Sequence, residues 1–371
     1  MIFNNLTYIY QSGRIKRFNS TENYPNEFFY GLNTIKKKFE NTEIIEFKYS
    51  DTFKLSHYVF TFLRKITGLP FYTENILSRK NYKIIKNSDL IMLSNQRMGF
   101  STLPLLIINK VFKKQSSCVF VMGLYNVNTK KKIKLILRKF FIYIFLITID
   151  KIIFLSEGEY EYSKNNYKKL TSKFKFIPFC IDTKFWNPQK SIEKENKKIL
   201  FIGNDGMRNY KFAINLAKQM PELHFTFVTT KVEKTDLLSE NIELINGMWS
   251  EETLSDNEIR ELYEKADLTI IPINESLQPS GQSVALQSMA LGVPVIITQT
   301  KGFWEPKIYK HLENIVFIKD NEIEVWKDQI LDIIENKELR NFIIKNAKKT
   351  VNENNNLIKF DAELERILFT K

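Results

Sequence analysis

Residues 268–298 read LTIIPINESLQPSGQSVALQSMALGVPVIIT, and the succession of residue types in this stretch decides the fold. Leu268–Ile273 is a short β-branched run, Val284–Leu291 carries helix formers, and Val295–Thr298 is β-branched again. Gly292 caps the helix and Pro294 prevents its continuation. Strand, helix and strand make a βαβ unit, which pairs its strands in parallel through a right-handed crossover. The link Gln278-Pro279-Ser280-Gly281-Gln282-Ser283 opens the helix. Such an opening has unpaired N–H groups and a positive dipole end, both favourable to a phosphate. Gly281 lets a ligand approach the backbone, and Gln287, one turn beyond Ser283, leans its amide toward the helix mouth.

Working outward, the same rhythm fills the chain. Strand-like runs at Leu6–Tyr10, Glu43–Tyr49, Leu90–Ser94, Cys118–Met122, Lys151–Ser156 and Phe174–Phe179 make one series. Ile199–Gly203, Phe225–Thr229, Ile242–Asn246, Leu268–Ile273, Val295–Thr298 and Ile315–Ile318 make another. Strands alternating with helices give an α/β chain of two Rossmann-like, doubly wound domains. The segment Asp182–Lys198, weak in strand and helix signals, predicts the linker, with domains at 1–183 and 184–350. A last helix at Leu357–Phe369, within 351–371, is expected to cross back onto the first domain.

A chain of 371 residues, 43% hydrophobic and 26% charged, folds into more than one core and is no disordered polymer. Its start, MIFNNLTYIYQ, lacks the pattern of a secretory signal, which predicts a cytoplasmic protein. Cys118 and Cys180 sit in apolar runs and imply neither disulfide nor metal. The net charge of +13 and pI near 9.3 call for an anionic partner.

Ligands of open α/β sheets bind at the carboxyl ends of the strands, so the loops there are the candidates. Gly203-Asn204-Asp205-Gly206-Met207-Arg208-Asn209-Tyr210-Lys211 combines a flexible turn with cations, and Met248 with Trp249 offers a flat face for a nucleobase. Singly, each feature has a plain structural explanation: a turn glycine, a solvated cation, a packing tryptophan. Their convergence at one edge of one sheet favours a ligand site.

At this point Pro279 to Ile296 resembles the donor-site signature of the family 4 retaining glycosyltransferases, in a Ser-Gly-Gln variant. Gly203 to Lys211 resembles that family's diphosphate-binding loop, and Phe176 to Pro188 its interdomain segment. The resemblance implies a GT-B fold, two Rossmann-like domains facing each other across a cleft. It implies a nucleoside-diphosphate sugar (UDP or GDP) as donor, with neither cofactor nor metal. By position, Gly203, Asn204, Arg208, Lys211, Gly281, Gln282 and Ser283 would meet the diphosphate, and Gln278, Gln287, Met248 and Trp249 the sugar or nucleoside. The family usually carries two glutamates seven residues apart, where this chain has Pro279 and Gln287, and often a histidine near Gly123-Leu124-Tyr125. None of His57, His224 and His311 fits that place, so no catalytic acid or base is assigned.

The first domain would bind the acceptor, with Gly13, Arg14, Lys16, Asn95 and Tyr125 on its candidate loops. Lys130 to Ile149, basic and then apolar, reads equally as a helix resting on an anionic membrane surface or as a buried helix with one charged face. The first reading makes the acceptor lipid-linked and the pathway a bacterial surface polysaccharide or glycolipid. Rival functions are a homologue that binds nucleotide sugar without turnover, a basic nucleic-acid-binding protein, for which no base-stacking motif is present, and a sugar-nucleotide epimerase lacking its acid/base pair.

Overall fold

A computed structural model describes residues 3–20, 23–47, 55–112, 115–127, 129–189, 197–233, 235, 239–247 and 253–369. Its first sheet holds β1 (Phe3–Tyr10), β2 (Phe39–Glu46), β3 (Leu90–Leu93), β4 (Ser116–Val121), β5 (Lys151–Phe154) and β6 (Phe174–Phe176), in the order β2-β1-β3-β4-β5-β6. The second holds β7 (Lys198–Ile202), β8 (His224–Val228), β9 (Ile242–Ile245), β10 (Leu268–Ile271), β11 (Val295–Thr298) and β12 (Val316–Ile318), in the order β12-β11-β10-β7-β8-β9. Every pairing is parallel. β3, β10 and β11 are buried along their whole length, which explains runs such as LIML and VIIT without polar alternation.

The chain divides into two units: Met1–Glu22, Phe28–Ile177 and Asp361–Lys371 form the first, Asn23–Glu27 and Pro178–Phe360 the second. The division falls at 177/178 rather than 183/184 because the segment after Ile177 packs into the second unit. Ile181 pairs with Asn356, and the buried Asn355 donates from Nδ2 to the Phe179 carbonyl at 3.1 Å and to Glu305 at 2.6 Å. Phe185 and Trp186, in the stretch read as linker, are buried. Residues 351–354, polar except for the buried Val351, continue the helix Lys337–Asn354.

Each unit has its own core. In the first, strand residues such as Ile91, Val119 and Phe154 meet a helix layer in which Phe100 and Phe145 stack with centroids 4.4 Å apart. In the second, Phe201, Phe227 and Ile270 meet Leu216, Trp326 and Ile330. Each such side chain contributes about 1.5–3 kcal/mol by leaving water. In both sheets the strand order reverses direction once, between β1 and β3 and between β7 and β10. Those two points are where an open α/β sheet leaves a crevice at its carboxyl edge.

Candidate functional site

At the β7/β10 reversal two loops are stitched together. Arg208 bridges antiparallel to Ile273, Asn209 N donates to the Pro272 carbonyl at 2.9 Å, and Asn274 N donates to Met207 at 2.8 Å. The Arg208 side chain is buried within the loop, donating from Nε to the Ile202 carbonyl at 3.3 Å and from Nη1 to Asp205 Oδ2 at 2.8 Å. Two glycines make room for it. A Cβ on Gly203 would lie 2.6 Å from Arg208 Nε, and one on Gly281 would lie 3.6 Å from Nη1 and only 2.7 Å from Ile271 Cγ2. Gly281 also has φ +82°, a conformation other residues adopt only with strain. It is the N-cap of the helix Gln282–Ala290 and has no side chain to cap that helix's first amides. Beside it, Ser280 is 6% exposed, and its Oγ has no hydrogen-bond partner among the described residues. The arrangement is a buried guanidinium, an uncapped helix start and an unused hydroxyl at one sheet edge, the donors an oxyanion needs.

Other sequence-predicted residues are placed differently. The Asn204 side chain is committed to scaffold: Oδ1 accepts from Thr229 Oγ1 at 3.0 Å and Thr230 N at 2.7 Å, and Nδ2 donates to the Gly247 carbonyl at 2.6 Å. Gln287 does not reach to the helix mouth. Its Oε1 accepts from Tyr263 Oη at 3.3 Å and its Nε2 donates to Glu27 Oε1 at 3.2 Å, all buried. Glu27 also accepts from Trp186 Nε1 at 2.7 Å and Asp182 N at 3.1 Å, and burial pushes its carboxyl up to about 7 against the pull of those donors. Lys211 is exposed and lines, with Lys218 and Lys231, a cavity of about 580 Å³ that reaches Arg208. Gln278 is half-buried, with its backbone N held by Ser276 Oγ at 3.0 Å, and Gln282 and Ser283 begin the helix. Met248 and Trp249 lie outside the described residues.

In the first unit the loops after β1 and β3 flank the corresponding reversal. Gly13, with φ 91°, turns the chain so that Ile15 N reaches Glu46 Oε1 at 2.6 Å, and Arg14 N reaches the same oxygen. Arg14 is half-buried, Lys16 exposed, and Asn95 Oδ1 accepts from Met98 N at 3.0 Å. The loop after β4 is clamped from both sides. Glu159 takes the amides of Gly123 at 2.7 Å and Tyr125 at 3.4 Å, while Arg138 donates to the carbonyls of Leu124 and Asn126. Burial raises Glu159 to about 7. Tyr125 Oη pairs with Ser163 Oγ at 2.7 Å, so its hydroxyl serves the packing.

Comparison with known proteins finds similarity to glycosyltransferases in the stretch that holds this site. Residues 182–350 match the family model of glycosyl transferases group 1. A curated relative, an uncharacterized glycosyltransferase of Methanocaldococcus jannaschii, is 29% identical over 167 residues, 44% of this chain and 35% of that protein. The matched stretch thus spans about a third of the curated relative's length. Sucrose-phosphate synthase from Thermosynechococcus elongatus superposes with TM-score 0.69 at 14% identity over 98% of each chain. HepE of Anabaena, solved in complex with UDP, superposes with TM-score 0.67 at 12% identity over 99% of this chain and all of that one. At such identities the likeness is one of fold, the pair of Rossmann-like sheets of GT-B proteins.

The group 1 region contains Arg208, Ser280 and Gly281 but not Glu27, which joins the same unit from more than 150 positions upstream. Glu27 and Asp205 were not singled out from sequence. No local pattern marks Glu27, whereas Asp205 stands three residues before Arg208 in a turn, a spacing that permits an ion pair. Among the described residues no group of three or more His, Cys, Asp or Glu side chains could hold a metal ion.

Proposed function

We propose that this chain is a glycosyltransferase that moves a sugar from a UDP- or GDP-sugar to a glycan or lipid-linked acceptor. In this reading it retains anomeric configuration, uses no metal, and works from the cytoplasmic side in making a bacterial surface polysaccharide or glycolipid. The observation that carries the reading is Arg208, held between Gly203 and Gly281 beside the unpartnered Ser280 hydroxyl and the uncapped start of the helix Gln282–Ala290. When the bond from the anomeric carbon to the diphosphate oxygen breaks, negative charge develops on that oxygen and must be received. Arg208, the amides of Gly281, Gln282 and Ser283, and Ser280 Oγ are suited to receive it, with Lys211 adding to the field. Asp205 pairs with Arg208, and a bound diphosphate would share that guanidinium.

The group 1 match over residues 182–350 and the UDP bound to HepE support a nucleotide donor. Gln287, fixed between Tyr263 and Glu27, acts by position, keeping the donor helix seated. Acceptor recognition falls to Gly13, Arg14, Lys16, Asn95 and Tyr125, and retention rests on the family resemblance alone. Metal-free thermal shift and turnover against UDP-, GDP- and ADP-sugars test the proposal. Stabilisation by one sugar nucleotide, lost in Arg208→Ala, with slow release of free sugar is the expected result. Stabilisation without any turnover identifies a binding homologue, and a shift with nucleic acid but with no nucleotide sugar rejects the donor site.

A further inference from the structure

Three helices of the first unit, Leu55–Thr67, Gln96–Phe112 and Lys132–Thr148, follow β2, β3 and β4. Their strands step in one direction across the sheet, so right-handed crossovers set all three on the same face. Lys132–Thr148 packs against both of the others. Its inner side buries Ile142, Phe145 and Leu146. A helix covering a sheet normally turns a polar side to water. This one turns out Ile133, Ile136, Phe140, Tyr143 and Ile147, spaced three and four residues apart and between 43% and 76% exposed. Tyr58 and Phe62 on one neighbouring helix and Ile108 and Val111 on the other are exposed as well. The buried helix with one charged face, which the sequence also allowed, is therefore not what forms.

The charge carried by these three helices has one sign, and the nearby carboxylates of Asp150 and Glu74 are paired with Lys110 and Arg64. None of the three helices contains Asp or Glu, and Lys130, Lys131 and Lys132 cluster where the apolar stripe begins, with Lys139 beside Phe140. We propose that this face docks on an anionic lipid bilayer, its apolar stripe seated among the upper acyl chains and its lysines among the headgroups. An anionic bilayer supplies phosphates over its whole plane, which matches lysines clustered at the end of a long apolar stripe. The contact is interfacial, since no helix among the described residues is long and apolar enough to cross a membrane. The docking surface rests on no feature of the donor site. It deepens the reading of a lipid-linked acceptor by putting the acceptor-side unit on the lipid.

The full chain is mixed with vesicles of phosphatidylcholine alone or enriched in phosphatidylglycerol, and bound protein is measured by flotation at low and high salt. The chain is expected to favour the anionic vesicles by about tenfold or more, with the preference falling as salt rises. Ile136→Glu with Phe140→Glu should lower binding by about tenfold, and Lys130→Ser with Lys131→Ser and Lys132→Ser should remove the preference for anionic lipid. In both variants the thermal shift with UDP should stay as in the parent chain, which separates loss of docking from loss of fold or of the donor site. Failure of the parent chain to float with either vesicle overturns the proposal, as does undiminished binding by the glutamate variant. A parent dimer that the glutamate variant converts to monomers, without vesicle binding, assigns the face to a second copy instead.

Discussion

Ser280 Oγ is buried without a hydrogen-bond partner among the described residues, which is uncommon for a buried polar atom. Ser280→Ala should therefore leave unfolding stability within about 0.5 kcal/mol of the parent by urea titration, while weakening UDP about fivefold by calorimetry. Gly281→Ala should behave in the opposite way. The φ of +82° and the 2.7 Å approach to Ile271 Cγ2 predict a loss on the order of 2 kcal/mol in the same titration, with or without nucleotide. At this scale the sequence was half legible. Gly203, Arg208 and Gly281 announce themselves because glycines and a cation stand at a strand end. Gln287 misled, since its helical position points to the mouth while its amide is claimed by Tyr263 and by Glu27, 260 residues away. Side-chain partners that distant leave no trace in local spacing.

Among the elements, the loop 123–126 shows how a buried carboxyl is used for shape. Glu159 has an ordinary value of 4.5 and is raised to about 7 by burial, and Glu27 in the other unit behaves alike. Below pH 4.5 folded and unfolded chains both hold these protons. Between 4.5 and 7 the unfolded chain gives them up while the folded chain keeps them. The stability is thus fully present below the unfolded value and lost as pH rises through the folded one, on the order of 3 kcal/mol per group. Melting curves from pH 4 to 8 should fall across that window, and Glu159→Gln should flatten the fall. Strands were the most legible elements, because buried parallel strands are unbroken β-branched runs. β2 is the exception. As an edge strand it begins with Phe39-Glu40-Asn41-Thr42, too polar to read as strand, and only the apolar Ile44 and Ile45 gave it away.

For the molecule as a whole, the two units have separate cores, and damage to one can be told from damage to the other. Leu364 is fully buried in the first unit, against Gly31, and Lys151 Nζ donates to the Leu368 carbonyl at 3.0 Å. Leu364→Ala should cost the first unit about 2–5 kcal/mol in chemical unfolding, while UDP still raises the melting point of the second. From sequence, a mid-chain drop in periodic signal led to an expected boundary at 183/184, and the two units of the structure divide at 177/178. Of the interleaving, the last helix was expected from the sequence to cross back, and Asp361–Lys371 fall in the first unit, whereas Asn23–Glu27 looks like any loop. That interleaving has a consequence for biosynthesis. Phe28–Ile177 leave the ribosome without the residues Asp361–Lys371 that finish their unit, and residues 178–360 must be translated in between. At about 5–20 residues per second the delay is roughly 10–40 s. The second unit already has Asn23–Glu27 in hand and can close before the first receives its last residues, so the unit whose synthesis starts earlier matures later.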